Sequence, residues 1–367
     1  MAFPNYLSGP KVVHVDDILL NLSEPKIVQS SKNKISKVPL VWPSIEHNIT
    51  THRIEQDAII NNDLLENKLN VLCVFFNIHE FKRRYKLAHE FINRMKKENH
   101  IVLYIVELAY KNQKFHLTTE NNPNHLQLRT NSILWLKENM FNIGIKKLLP
   151  NNWKSVACID MDIEFENPHW SLDTLKILNG SRDLVQLFSH CVNLDKNQDA
   201  MQIYSSLGFR HSKGKPYEYN EKPENYNHPG YGFAITRKTY EKIGGFYELN
   251  ILGSGDQILL TSAIGMVHTS LVNNLSKNYV NSILNFQERC KNIRVGYVPG
   301  IIKHYYHGPM ERRQYDTREL FLVKYQFDPY EHLSRNENGL LFPSSKFPEK
   351  LYKKIERYFE NKREDDD

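Results

Sequence analysis

The sequence predicts an α/β fold with a mostly parallel sheet flanked by helices on both faces. Short continuous apolar runs, typical of strands buried on both faces, alternate with longer segments whose apolar residues recur at helical spacing. This alternation favours parallel strands joined by crossover helices. The chain has 367 residues, 40% of them hydrophobic, which is enough to bury a substantial core.

The regular elements begin near residue 70. Each predicted strand is a short apolar run, and each predicted helix carries apolar residues three or four positions apart. In chain order, strands are expected over 71–76, 101–106, 155–159 and 184–188, and helices over 81–98 and 133–149.

Three segments are expected along the chain. Residues 1–66 are polar, irregular and contain several prolines, which indicates an N-terminal extension. Residues 67–330 form the predicted main domain. Residues 331–367 form a C-terminal extension, and the charged stretch 362–367 is expected to be a solvated tail.

Composition limits the class of protein. The 48 basic and 42 acidic side chains give a formal charge of +6, a mild excess that permits an anionic ligand without requiring nucleic acid. The four cysteines are far apart, which argues against a zinc knuckle or a disulfide scaffold. Residues 1–10 lack the features of a secretory signal, and no apolar run approaches the length of a membrane span, so a cytoplasmic protein is expected.

Polar residues follow three of the predicted strands. Asn77, Glu107 and Asp160 each lie at a predicted carboxyl end. Ligands of open α/β sheets bind at this edge. All three residues are therefore candidates for contacting a ligand.

The third strand ends in the sequence Asp160-Met161-Asp162. Two carboxylates one residue apart at a strand end can hold a hard divalent cation such as Mg²⁺ or Mn²⁺, which in turn binds a diphosphate. Most such pairs are exposed loop acids, but the position after an apolar strand favours a metal site.

A glycine-rich segment delivers another acid to the start of an apolar helix. Asp256 follows Gly253-Ser254-Gly255. Glycines allow a ligand to approach the backbone closely, and the carboxylate could accept a proton as general base. The alternative is that Asp256 only stabilises the helix N-terminus electrostatically.

Two histidines close a later apolar run. His304 and His307 are candidate ligands for a cation beside the two acids, since imidazole binds transition metals well. Residues three apart on a strand point to opposite faces, so only one of them is expected to bind the metal. The following Arg312 and Arg313 either clamp a phosphate or lie on a solvated face.

Taken in this order, the segments resemble GT-A glycosyltransferases, and most closely the β-1,4-galactosyltransferase-like superfamily. The resemblance covers about residues 70–318 and depends on the order of short motifs. It implies that Trp135 stacks on the nucleobase, that Lys137 contacts the diphosphate and that Asp162 ligates the metal directly. The family's spacing before its distal metal histidine favours His307 over His304.

The resemblance also gives roles to the remaining candidates. Asn77 and Glu107 fall where the family contacts the nucleotide, Asp160 contacts ribose or metal, and Asp256 lies where the family has its base. The family's acceptor-loop tryptophan is Ser254 here, so neither N-acetylglucosamine as acceptor nor galactose as donor is implied. The segment around the histidines is also similar to phage and giant-virus glycosyltransferases, for which the compartment would be the host cytoplasm.

The resemblance thus implies a transferase that needs Mn²⁺ or Mg²⁺ and a nucleotide-sugar donor, with a UDP-sugar favoured. A hydroxyl of a glycan or protein is the expected acceptor, and the displacement inverts if Asp256 is the base; a retaining outcome stays open. The alternatives are a nucleobase- or DNA-directed glucosyltransferase and a non-catalytic sugar-binding protein. A glycoside hydrolase is disfavoured, because Asp160 and Asp162 are too close in sequence to flank a sugar.

Overall fold

The computed structural model describes residues 53–214, 227–315 and 317–366. The predicted N-terminal extension covers residues 1–66, and its first 52 residues lie outside the described ranges. The described chain opens with helix α1, Arg53–Asn61. Within these ranges no helix has both the length and the apolar character needed to cross a bilayer.

A seven-stranded sheet forms the centre of the domain. Its strands, in spatial order, are β3 (His125–Thr130), β2 (Ile101–Tyr110), β1 (Leu69–Phe76), β4 (Ser155–Ile159), β10 (Gly232–Thr236), β6 (Leu184–Gln186) and β11 (Val295–Tyr297). All neighbouring pairs are parallel except those made by β10, which is antiparallel to β4 and β6. The predicted, mostly parallel α/β architecture is confirmed.

Helices cover both faces of this sheet. Alternate residues of β1 belong to two different apolar clusters: Leu72 packs with residues of α3 (Lys137–Leu148), whereas Val71 packs with residues of α2 (Lys82–Met95) and α4 (Trp170–Leu178). This division follows from the two-residue repeat of side chains along a strand. Each face of the sheet therefore has its own core.

The remaining helices follow in chain order. They are α5 (Leu207–Ser212), α6 (Arg237–Ile243), α7 (Gly255–Ala263), α8 (Lys277–Arg289), α9 (Leu320–Lys324), α10 (Pro329–His332) and α11 (Glu349–Glu360), with short 3-10 helices at Val267–Ser270 and Met310–Arg313.

A second sheet of five strands carries residues of the site. Its spatial order is β5 (Ile163–Phe165), β12 (Ile301–His304), β7 (His190–Leu194), β8 (Ala200–Ser206) and β9 (Asn227–His228). A hairpin of β13 (Leu333–Arg335) and β14 (Leu341–Pro343) completes the strands of the described ranges.

The predicted elements agree with the structure in kind and differ at their ends. The predicted strand 155–159 coincides with β4, whereas β2 extends four residues beyond its predicted end, because its outer part pairs with β3. The helix predicted over 133–149 begins only at Lys137. All four cysteines are buried and free.

Candidate active site

The D-x-D segment links the two sheets. Residues 160–162 connect β4 of the central sheet to β5 of the second sheet. The carbonyl of Asp162 accepts a hydrogen bond from the N–H of Tyr305 (2.9 Å), and Ile163 is in register with His304. This pairing of β5 with β12 places the Asp162 side chain beside the end of β12.

One carboxylate and two imidazoles meet at this point. Ligand atoms of Asp162, His304 and His307 all lie within 4.8 Å of one another. The Nε2 atoms of His307 and His304 are 3.1 Å and 3.9 Å from the Asp162 carboxylate. Nδ1 of His304 lies 3.0 Å from Oδ1 of Asn193, a contact that orients the ring and directs Nε2 towards Asp162.

These three side chains have the chemistry of a divalent-cation site. Oδ1 of Asp162 is buried and has no hydrogen-bond partner among the described residues, which leaves a lone pair for a ligand. Burial raises the pKa of Asp162, but the hydrogen bond and charge of His307 lower it more, so the carboxylate is ionised. Burial holds the pKa of His304 well below its ordinary value, so this ring is in the neutral, metal-binding form.

The two histidines lie on the same side of the chain, and the expectation that they point to opposite faces is wrong. β12 ends at His304, so the alternation of a strand does not extend to His307. The two rings are 5.3 Å apart, and both approach Asp162. The structure therefore brings together both candidate histidines.

Asp160 faces a different partner. Nζ of Lys137, at the first residue of α3, is 2.9 Å and 3.1 Å from the two Asp160 carboxylate oxygens and 3.7 Å from Oδ2 of Asp256. Burial lowers the pKa of Lys137, but the two carboxylates raise it more, and the ammonium stays charged. Lys137 thus ties the end of β4 to the first turn of α7.

Asp256 lies in this first turn and lines a cavity whose wall also includes Asp160, Asp162 and both histidines. Oδ1 accepts a hydrogen bond from the Gln257 N–H (2.8 Å). A Cβ atom on Gly230 would lie 2.5 Å from Oδ2, so glycine at this position leaves room for the acid. Burial raises the pKa of Asp256, but Lys137 and His228 lower it more, so the group is ionised and able to accept a proton.

Glu138 is a cavity residue that the sequence analysis missed. Its Oε2 accepts a hydrogen bond from Nδ2 of Asn250 (2.9 Å), and a Cβ atom on Gly255 would lie 2.1 Å from its Cδ. Burial raises the pKa of Glu138 to about 7, despite the opposing charge of Lys137. A glutamate in a helix normally faces solvent, so nothing in the sequence pattern distinguishes this one.

Glu138→Gln is expected to stabilise the protein more at pH 8 than at pH 5. Since the folded-state pKa of Glu138 exceeds the ordinary value of 4.5, the folded state loses stability as pH rises from about 4.5 through about 7. Glutamine avoids this loss and can still accept the bond from Asn250. The expected gain at pH 8 is up to about 3 kcal/mol in the free energy of unfolding, measured in urea with EDTA present.

The matched control for this substitution is Glu120→Gln, which changes an exposed glutamate. Its effect should not differ between the two pH values. A Glu138→Gln gain of equal size at pH 5 and pH 8 would contradict the raised pKa.

Trp135 lies at the cavity wall among aromatic rings. Its ring meets Phe76 edge-on at 5.2 Å and stacks on Phe359 at 6.4 Å. Nζ of Lys362 lies 4.5 Å from the centre of its ring. The predicted stacking of a nucleobase on Trp135 stays a prediction.

Asn77 and Glu107 lie outside the cavity. The Asn77 side chain bonds to the N–H and carbonyl of Phe81. β2 runs on to Tyr110, so Glu107 is not at a strand end as predicted, and its carboxylate instead accepts backbone N–H bonds from residues 116–118. Both side chains therefore bond to the backbone of a nearby segment and stabilise its conformation.

The charged stretch 362–367 is not a solvated tail as far as it is described. Lys362 and Glu364 are buried, because the chain returns from α11 to the cavity and both residues line its wall. Glu364 lies 3.2 Å from NH1 of Arg84 and 3.7 Å from Nδ1 of His307. Asp367 lies outside the described residues.

The two arginines after the histidines have different surroundings. Arg312 pairs with Asp366 and does not line the cavity. Arg313 lines the cavity, and its NH2 lies 3.0 Å from Nε2 of His307. Of the two, only Arg313 is placed to meet a ligand.

A single cavity contains these groups. Its charged and metal-type lining residues are Arg84, Lys137, Glu138, Asp160, Asp162, His228, Asp256, His304, His307, Arg313, Arg318, Lys362 and Glu364. The arrangement combines a cation-binding cluster, an ionised carboxylate and several buried cations. It can therefore bind an anionic ligand through a metal and remove a proton from a second ligand.

Comparison with known proteins gives structural matches alone, since no family model and no curated protein matches the chain. A Drosophila β-1,4-galactosyltransferase 7 in complex with manganese, UDP-Gal and xylobiose is 9% identical, with a TM-score of 0.38 over 76% of this chain and 94% of that one. A Pyrobaculum calidifontis mannosyltransferase in complex with GDP-Man and Mn²⁺ is 11% identical, with a TM-score of 0.39 over 75% and 73%. Staphylococcus aureus TarS is 12% identical, with a TM-score of 0.37 over 80% and 71%.

Proposed function

We propose that the protein is a metal-dependent glycosyltransferase that moves a sugar from a nucleotide sugar to an acceptor hydroxyl. The observation that carries this proposal is the meeting of Asp162, His304 and His307 in the cavity that also holds Asp256. A cation site beside an ionised carboxylate supplies the two things that glycosyl transfer needs, stabilisation of a leaving diphosphate and removal of a proton.

Asp162, His304 and His307 would hold the cation. When bound, it would neutralise negative charge on the diphosphate as the bond to the sugar breaks. Two imidazoles beside one carboxylate favour Mn²⁺ over Mg²⁺, because Mg²⁺ prefers oxygen ligands in an octahedral arrangement. Asp160 is assigned to holding Lys137, whose ammonium would add positive charge near the diphosphate.

Asp256 is the proposed general base. It accepts the proton of the acceptor hydroxyl while that oxygen bonds to the anomeric carbon, and the bond from this carbon to the diphosphate oxygen breaks. The nucleoside diphosphate leaves with the bonding electrons. A single displacement of this kind inverts the anomeric configuration. The favoured donor is a UDP-sugar, and the favoured acceptor is a hydroxyl of a glycan or protein.

Incubation with UDP-, GDP- and dTDP-sugars in the presence of Mn²⁺ tests the proposal. We expect release of nucleoside diphosphate from one class of donor, complete loss of release with EDTA, and recovery when Mn²⁺ is restored in excess. The readout is the released nucleotide, and the heat-denatured protein is the control.

Two outcomes would contradict the proposal. One is release that EDTA leaves unchanged, which would remove the metal from the reaction. The other is the absence of both nucleotide release and nucleotide binding for all three donor classes.

A further inference from the structure

The segment after α11, residues 361–366, forms part of the cavity wall. Its side chains alternate in exposure: Lys362 and Glu364 are buried, whereas Arg363 is exposed. Both buried residues line the cavity that holds the candidate metal ligands.

Several contacts fix the position of this segment. Glu364 pairs with Arg84 on α2 and lies beside His307. The Asp365 carboxylate accepts the backbone N–H groups at the start of α2, from Lys82 (2.9 Å) and Arg83 (2.8 Å). Carboxylates at a helix N-terminus are favourable because unpaired N–H groups and the helix dipole meet them there. The segment is therefore held against α2 at Glu364 and at Asp365.

Lys362 is a buried residue whose ammonium has no acceptor in the described part of the chain. The residue is 8% exposed, and its Nζ lies 4.5 Å, 5.0 Å and 5.2 Å from the ring centres of Trp135, Phe359 and Tyr358. Within the described ranges Nζ has neither a hydrogen-bond nor an ion-pair partner. Aromatic faces attract a cation but do not accept its three N–H bonds as oxygen atoms do.

Other cations of the cavity wall are engaged. Lys137 pairs with Asp160, and Arg84 pairs with Glu364. Arg318 bonds to protein hydroxyl groups. A buried cation that lacks an acceptor is costly, and burial lowers the pKa of Lys362 to about 8. An anionic ligand in the cavity would supply the missing acceptor.

We propose that Lys362 binds the diphosphate of the nucleotide-sugar donor. This inference rests on the proposed function and adds to it a phosphate-binding residue from the segment after α11. Phosphate oxygens are strong acceptors for an ammonium group, and a charge-assisted bond of this kind is stronger than a neutral one. The fixed position of Glu364 and Asp365 holds Lys362 in place before the donor arrives.

The test compares nucleotide and nucleoside binding by calorimetry with Mn²⁺ present. The titrants are UDP, GDP, dTDP and the corresponding nucleosides uridine, guanosine and thymidine. For Lys362→Met we expect affinity for the diphosphate to fall about ten- to hundred-fold, the usual range for loss of a bond to a charged group. Affinity for the nucleoside should not change, because it carries no phosphate.

Two further variants separate charge from packing. Lys362→Arg retains the positive charge and should recover most of the affinity for the diphosphate. Arg363→Met removes a neighbouring, exposed cation of the same segment and should bind like the unsubstituted protein. Melting temperatures of all variants report on the fold.

The outcomes distinguish this inference from the proposed function. Equal diphosphate affinity for Lys362→Met and the unsubstituted protein overturns the inference alone. An equal loss for nucleoside and diphosphate also overturns it, since Lys362 would then act through its packing on Trp135. If the unsubstituted protein neither binds UDP, GDP or dTDP nor releases nucleotide from the corresponding sugars, both proposals fall.

Discussion

Asp162→Ala is expected to lower donor turnover by about three orders of magnitude and to weaken Mn²⁺ binding in parallel. The substitution removes the only carboxylate of the three-residue cluster in the described chain and leaves two imidazoles without a negative charge between them. A bound metal contributes several kcal/mol to stabilising charge at the leaving group, and each 1.4 kcal/mol corresponds to about tenfold in rate. Turnover is measured as released nucleotide, and Mn²⁺ binding by electron paramagnetic resonance.

Two control variants sharpen this experiment. Asp57→Ala removes an exposed acid of α1 and should leave both readouts unchanged. Asp162→Asn retains the shape of the side chain, so loss of Mn²⁺ binding in this variant cannot come from a new cavity. Full turnover in a folded Asp162→Ala protein would remove this residue from the metal site and, with it, the observation on which the proposed function depends.

Asp256→Asn is expected to lower transfer by about 10²- to 10⁴-fold while donor affinity is kept. Asparagine fills the same space and can still accept the Gln257 N–H bond through its side-chain oxygen, but it is a far weaker proton acceptor than the carboxylate. Loss of a general base typically costs this much in rate. The measurements are the rate of transfer to acceptor and the dissociation constant for UDP, with Asp57→Asn as the matched control.

The pattern of loss decides the role of Asp256. Unchanged transfer would leave the acid as no more than a stabiliser of the α7 N-terminus. Weakened UDP binding at an unchanged rate of transfer would instead indicate that its contact with Lys137 organises the donor site.

The sequence predicts well those parts of the fold that depend on local pattern. The apolar run of β4 identifies both the strand and the end at which the two acids lie, because side-chain burial on both faces leaves a continuous apolar signal. The antiparallel strand β10 and the pairing of β5 with β12 depend on contacts between distant segments, and a single sequence carries no periodic signal for them.

The same distinction applies to the site. Asp162 and the two histidines could be proposed from residue type and order. The burial of Lys362 and Glu364 could not, since a run of charged residues is normally solvated. Here Glu364 is buried against Arg84, and Lys362 is buried against aromatic rings. Glu107 was misplaced because β2 extends beyond its predicted end through pairing with β3, a contact that the sequence pattern does not predict.

The link between the two sheets has a mechanical consequence. Asp162 belongs to the connection that leaves the central sheet, whereas His304 terminates a strand of the other sheet. An ion shared by these residues would cross-link the connection between the sheets to the end of β12. Because the ion would bind only while this connection lies against β12, tighter ion binding would also stabilise that contact, by the same free energy when the ion is in excess.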